Sequence, residues 1–178
     1  VGYAALVDAG LAKPALLGSA AGVFVGIQVG EYGTLPHRGQ PSPYSATGAS
    51  AAIAANRVSY LLGLEGPSMS VDTACSSALV ALESGRQCLG SGLCDTVLVG
   101  TVNVLVSVAG FIGTCSAHML SPTGRCRTFD AAADGYARAE GCCAVVIQPC
   151  ATEVVHLVAV MINQDGRTAN LTSPNGPA

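Results

Sequence analysis

The sequence predicts an α/β fold, and three observations carry that prediction. Short apolar, β-branched runs at residues 22–29, 96–104 and 142–148 alternate with segments of helical period. The breaks between them fall at Gly and Pro. Half of the 178 residues are apolar and only 11% are charged, which is core-forming material. A free-standing domain ordinarily carries about 25% charged residues. Much of this surface is therefore expected to be covered by further chain, a partner subunit or lipid.

Taken in order, residues 3–9 read as the tail of a helix closed by Gly10, and residues 22–29 (GVFVGIQV) as a strand. Residues 31–44, with LPHRG and QPSP, form a loop. An Ala-rich helix spans 45–62, stopped by Gly63 and Gly66-Pro67. A short strand at 68–71 leads through Asp72-Thr73-Ala74 into a helix from Cys75 to about residue 89, with Leu79, Leu82 and Gly85 on recurring faces. Residues 96–104 read as a strand buried on both faces. Residues 120–130 are a loop, and 142–148 and 154–162 are further strands ahead of a polar tail.

Several function classes are excluded on composition. Residues 96–117 carry no charge and are long enough to cross a bilayer, but Gly100, Asn103, Gly110 and Gly113 interrupt them and the first part is strand-like, so no membrane span is expected. Residues 1–11 have no basic leader and the chain does not start with Met. It therefore reads as a fragment or processed piece, cytoplasmic, or plastid in a eukaryote. A net charge of −3 with scattered Lys and Arg argues against a nucleic-acid partner. The cysteines at 75, 88, 94, 115, 126, 142, 143 and 150 include no C-x-x-C pair and no His at ligand spacing, so no metal site is expected and most read as reduced, buried thiols. The sequon Asn170-Leu171-Thr172 is read as a chance match.

Cys75 alone among the cysteines sits where a helix begins, a position that favours thiolate and hence a nucleophile. Spacing by itself leaves a packing role at a tight strand-to-helix corner equally open. Around it, VDTACSSALVAL resembles the nucleophile motif of ketosynthases in modular polyketide synthases and animal-type fatty-acid synthases. NRVSYLLGLEGPS upstream, and LSPTGRCRTFDAAADGYARAEG and INQDGRTANLTSPNGP downstream, resemble segments of the same family in the same order.

The resemblance implies a thiolase-like fold of layered αβαβα architecture. Residues 1–150 would be the nucleophile-bearing first half, lacking its first strand, and residues 151–178 the start of the second. It implies that Cys75 takes an acyl chain from a carrier-protein thioester and that an enolate from malonyl-carrier then attacks it. The implied partners are an acyl carrier protein, malonyl and acyl thioesters, and a second copy of the chain. Residues 96–106 are the candidate strand for pairing across the dimer axis. No metal, nucleotide or flavin cofactor is implied, because acyl groups arrive as phosphopantetheine thioesters. The family's two catalytic histidines lie in H-G-T-G-T and N-I-G-H motifs absent from these 178 residues, so the fragment alone is expected to be inactive.

His37, His118 and His156 match neither motif and are read as non-catalytic. Arg125, Asp130, Asp134 and Glu140 fit the downstream motif and are read as turn or ion-pair residues. Ala78, Thr101 and Thr114 depart from the family's pattern, with possible effects on acyl preference. Two other readings remain open at this point. One is a degenerate thiolase-like subunit that only dimerises; the other is a cysteine hydrolase with Cys75 activated by His118.

Overall fold

The computed structural model describes residues 1–28, 31–35, 42–149, 155–169 and 175. Four strands, β1 (Gly22–Gly26), β2 (Ser68–Val71), β3 (Val97–Asn103) and β4 (Gly141–Ile147), form one sheet in the order β2-β1-β3-β4. The first three are parallel and β4 runs antiparallel to β3. Among the described residues six helices accompany them: α1 (Gly2–Asp8), α2 (Lys13–Leu16), α3 (Ser45–Ala49), α4 (Ala52–Leu62), α5 (Ser77–Gly90) and α6 (Val108–Ser116).

Side chains alternate across each strand, so β1 feeds two cores. Val23 and Val25 meet Leu6, Leu16, Ala55, Leu62 and Leu98 on one face. Phe24 meets Ala81, Cys94, Val97 and Val99 on the other. Helices α1 and α4 cover the first face and α5 the second, giving three layers, α over β over α. All five residues of β1 are buried, which is why its apolar run is continuous rather than alternating. Helix α4 ends where Gly63 adopts φ 65°, a left-handed cap that lacks the steric cost a Cβ would bring.

The predicted α/β alternation holds, with local differences. The helix expected over 45–62 is two, because Ser50 is extended (ψ 125°) between α3 and α4. The strand from residue 22 ends at Gly26, and Val29 lies outside the described residues. Helices α2 and α6 were not foreseen. The first is a single turn, too short to show a period. The second is β-branched and interrupted by glycines, and its one sequence signal is the N-cap Ser107, whose Oγ accepts from the Ala109 N–H at 3.1 Å.

Two expectations are overturned. Residues 155–162 form no strand, and Val155, Val158 and Met161 are exposed there. The apolar pattern is present, but a strand also needs a neighbour to satisfy its ladder, and none of the described residues supplies one. The run 96–106 is not available for pairing across a dimer axis. Both edges of β3 are occupied, by β1 and by β4, and the outer edges of the sheet belong to β2 and β4. No helix among the described residues is long and apolar enough to cross a membrane.

Candidate active site

In a parallel sheet the crevice beyond the carboxyl ends of the strands is where loops converge. Here β1, β2 and β3 all end on the same side, and β4 begins there, since Asn103 pairs with Gly141. Three connections leave from that end. After β1 comes a 3-10 turn, Glu31–Thr34; after β2 comes the turn carrying Cys75; after β3 come α6 and the segment that returns to β4.

Cys75 sits in a 3-10 turn, Ala74–Ser76, directly ahead of the 14-residue helix α5. Its thiol is free and exposed. Side chains hold the turn. Asp72 Oδ1 accepts from the Ala74 N–H at 3.0 Å, Ser76 Oγ donates to the Thr73 carbonyl at 2.9 Å, and Ser77 Oγ donates to the Ala74 carbonyl at 2.7 Å. Helix α5 can lie this close to β1 because residue 26 is glycine. A Cβ there would come within 2.7 Å of the Ala78 nitrogen and the Ser77 carbonyl carbon.

A second cluster lies at the same sheet end. The Glu31 carboxylate accepts from Arg138 Nη2 at 2.6 Å, from the Ser107 N–H at 2.8 Å and from the Val106 N–H at 3.0 Å. These bonds, the one from Arg138 first, hold the Glu31 pKa below the usual carboxylate value. The Arg138 guanidinium also stacks on the Phe111 ring, 4.7 Å from its centroid. Beside it is an open cavity of about 720 Å³, lined in part by Phe111, Cys115, His118, Asp134, Tyr136 and Arg138.

The residues singled out in the sequence fall into place unevenly. Glu140 Oε1 accepts from the Leu105 N–H at 2.8 Å and Asp130 Oδ1 from the Ala132 N–H at 2.8 Å, both fixing backbone. Arg125 and Asp134 form no ion pair among the described residues. Thr114 Oγ1 donates to the Gly110 carbonyl at 2.8 Å within α6. His118, set aside as a lone histidine, lines the cavity at φ 53° and makes no hydrogen bond to Cys75. His37 and the sequon at 170–172 lie outside the described residues. Glu31 and Arg138 were missed, because nothing in either local sequence announces a pair formed across 107 positions.

The expectation that most cysteines are buried does not hold, since Cys115, Cys126, Cys142 and Cys143 are exposed like Cys75. Cys115 and Cys126 lie on segments outside the two cores, and Cys142 and Cys143 sit at the start of the edge strand β4, ahead of Ala144, Val146 and Ile147, which pack on those cores. Burial pushes the Cys94 thiol up, with Cys88 and Asp95 adding to it. Cys126 is tied to Ala137 by a 3.1 Å bond from that residue's N–H. The described residues contain no group of three or more His, Cys, Asp or Glu arranged to hold a metal.

Compared with known families, residues 1–152 match the model described as beta-ketoacyl synthase, N-terminal domain. The chain belongs to the β-ketoacyl synthase family. It is 41% identical over 185 residues to the cyclo-acetoacetyl-L-tryptophan synthase of Aspergillus oryzae, covering 99% of this chain and 5% of that one. With the mycocerosic acid synthase-like polyketide synthase of Mycolicibacterium smegmatis it shares 40% identity over 185 residues, covering 99% of this chain and 9% of the relative. The chain thus spans less than a tenth of these curated relatives. A solved ketosynthase from module 6 of the bacillaene synthase of Bacillus subtilis superposes on this ketosynthase chain with a TM-score of 0.80 and 36% identity, over 97% of this chain and 31% of that one. The fold is the thiolase-like fold of those ketosynthases.

Proposed function

We propose that the intact protein carrying this chain is a condensing ketosynthase of polyketide assembly, and that Cys75 is its acyl acceptor. The observation that carries this is the placement of Cys75: exposed, just past the carboxyl end of the parallel strand β2, on a braced turn at the head of α5. A thiolate there attacks the carbonyl of an acyl thioester, the carrier thiolate leaves and takes up a proton, and the acyl group stays on sulfur. Loss of CO2 from malonyl-carrier gives an enolate. That carbanion adds to the Cys75 thioester, and the Cys75 thiolate is expelled as the β-ketoacyl product forms.

The decarboxylation step is assigned to residues outside these 178, because neither histidine motif of the family occurs in them. The chain alone is accordingly proposed to be inactive. An acyl carrier protein as partner, thioesters as the only cofactor-borne groups and a homodimer belong to the same reading. So does a boundary near residue 150, which the family match ending at residue 152 supports. If a strand pairs across the dimer axis it is β2 or β4, whose outer edges no strand among the described residues occupies.

The test is to incubate the intact protein with a fatty-acyl thioester and locate the adduct by mass spectrometry. An acyl group on Cys75, and loss of condensation in Cys75→Ala, are expected. A hydrolase turns over without accumulating adduct, and a purely structural subunit stays unmodified. β-Ketoacyl product formed by Cys75→Ala would overturn the reading.

A further inference from the structure

We propose that Ser77 and Asp72 are positioning residues that hold the Cys75 nucleophile on a strained turn. The inference rests on reading Cys75 as the acyl acceptor and adds what fixes its sulfur in place. Ala74, immediately before it, has φ 56°. That left-handed conformation costs energy for any residue with a Cβ and persists only where its surroundings enforce it.

The enforcement is on both sides of Ala74. Its N–H is taken by Asp72 Oδ1 at 3.0 Å and its carbonyl by Ser77 Oγ at 2.7 Å. The same Ser77 oxygen accepts from the Thr73 N–H at 2.8 Å, so one hydroxyl bridges the entry and the exit of the turn. Ser77 is only 4% exposed, and water cannot readily substitute for it. It is itself immobile, because its backbone lies where a Cβ on Gly26 would meet it at 2.7–2.8 Å.

The consequence for Cys75 follows from peptide planarity. Holding the Ala74 carbonyl holds the whole plane that ends at the Cys75 Cα, and with it the direction of the Cys75 side chain. Without Ser77 Oγ, Ala74 relaxes to negative φ and the plane turns. Rigidity is thus passed from the sheet at Gly26, through Ser77 and Ala74, to the sulfur.

The experiment measures alkylation of Cys75 by iodoacetamide in the intact protein, by mass spectrometry, with the other reactive cysteines as internal references; Cys115 and Cys142 are exposed here. Ser77→Ala slows Cys75 about tenfold while the references keep their rates. Adding Ala74→Gly to Ser77→Ala restores the rate to within about twofold, because glycine takes the left-handed conformation at no steric cost. Asp72→Ala is slower than Asp72→Asn; both lack the charge, and only Asn keeps an oxygen for the Ala74 N–H. An unchanged Cys75 rate in Ser77→Ala, or one that moves in step with the references, overturns the proposal. If Ser77→Ala does not fold, the Asp72 pair decides, and equal rates overturn it. Thiol alkylation does not depend on acyl loading, so failure of native Cys75 to accept an acyl group sinks the functional reading alone.

Discussion

Arg138 Nη2 stands 2.6 Å from Glu31 Oε1, and that one contact joins the turn after β1 to the segment before β4. Both side chains are 15% exposed, so the pair is screened far less than one on the open surface. The second Glu31 oxygen gathers the amides of Val106 and Ser107, which anchors the start of α6. Glu31→Gln is expected to lower Tm and to speed hydrogen exchange at the Val106 and Ser107 amides by about tenfold, with β1 and β3 amides little changed. Unaltered exchange at those two amides would show that the carboxylate does not hold them.

Acid should find Glu83. Its carboxylate takes Arg86 Nε at 2.6 Å, Arg86 Nη2 at 2.7 Å and Gln87 Nε2 at 2.8 Å, and the Arg86 bonds, then the Gln87 bond, draw its pKa from 4.5 to about 2 against the opposing effect of desolvation. A folded-state pKa below the unfolded one means stability that is fully present above about pH 4.5 and is lost as pH falls toward 2. Glu31 acts in the same direction. Glu83→Gln is expected to be less stable than the native chain at pH 6, to converge with it near pH 2, and to show a flatter dependence between. Denaturant titrations across that range check it; parallel curves for the two proteins contradict it.

Gly26→Ala places a methyl group against backbone that has nowhere to go, 2.7 Å from Ser77 carbon and Ala78 nitrogen. A cost of about 1–3 kcal/mol is expected from this overpacking, seen as a lower urea midpoint with an unchanged m-value. A midpoint equal to the native one would mean that α5 does not press on β1 at this point.

The sheet was legible in its short apolar runs, whether buried throughout like β1 or partly exposed like β2 and β4. GVFVG, SMSV and CCAVVI read as strands because β-branched residues between Gly and Pro breaks have few other uses, and they are strands. The strand-to-helix corner that carries Cys75 was legible from the run SMSV and the helical pattern that follows it. What could not be read depended on partners far away in sequence. Residues 155–162 look like a strand but pair with no strand among the described residues, and β3 looked like a candidate dimer strand because its two partners in the sheet are invisible from its own residues.

The same limit applies to the site. Glu31 appears in the sequence as one acid in a loop, and Arg138 as one base in a polar motif; only the fold brings them together. Ala74 reads as an ordinary small residue, since a backbone angle of φ 56° leaves no trace in residue type when side chains rather than glycine sustain it.

The place of β4 in the sheet sets a timetable for synthesis. Helix α1 precedes all four strands of this sheet and packs against β4 as well as β3, and β4 is the last of the four to be translated. The tether between Glu31 and Arg138 cannot close before residue 138 has cleared the ribosome, and the inner face of α1 lacks part of its seat until residue 147 has. Until then this part of the nascent polypeptide exposes apolar surface that chaperones can bind, and the sheet end that bears Cys75 is complete only once β4 has been added.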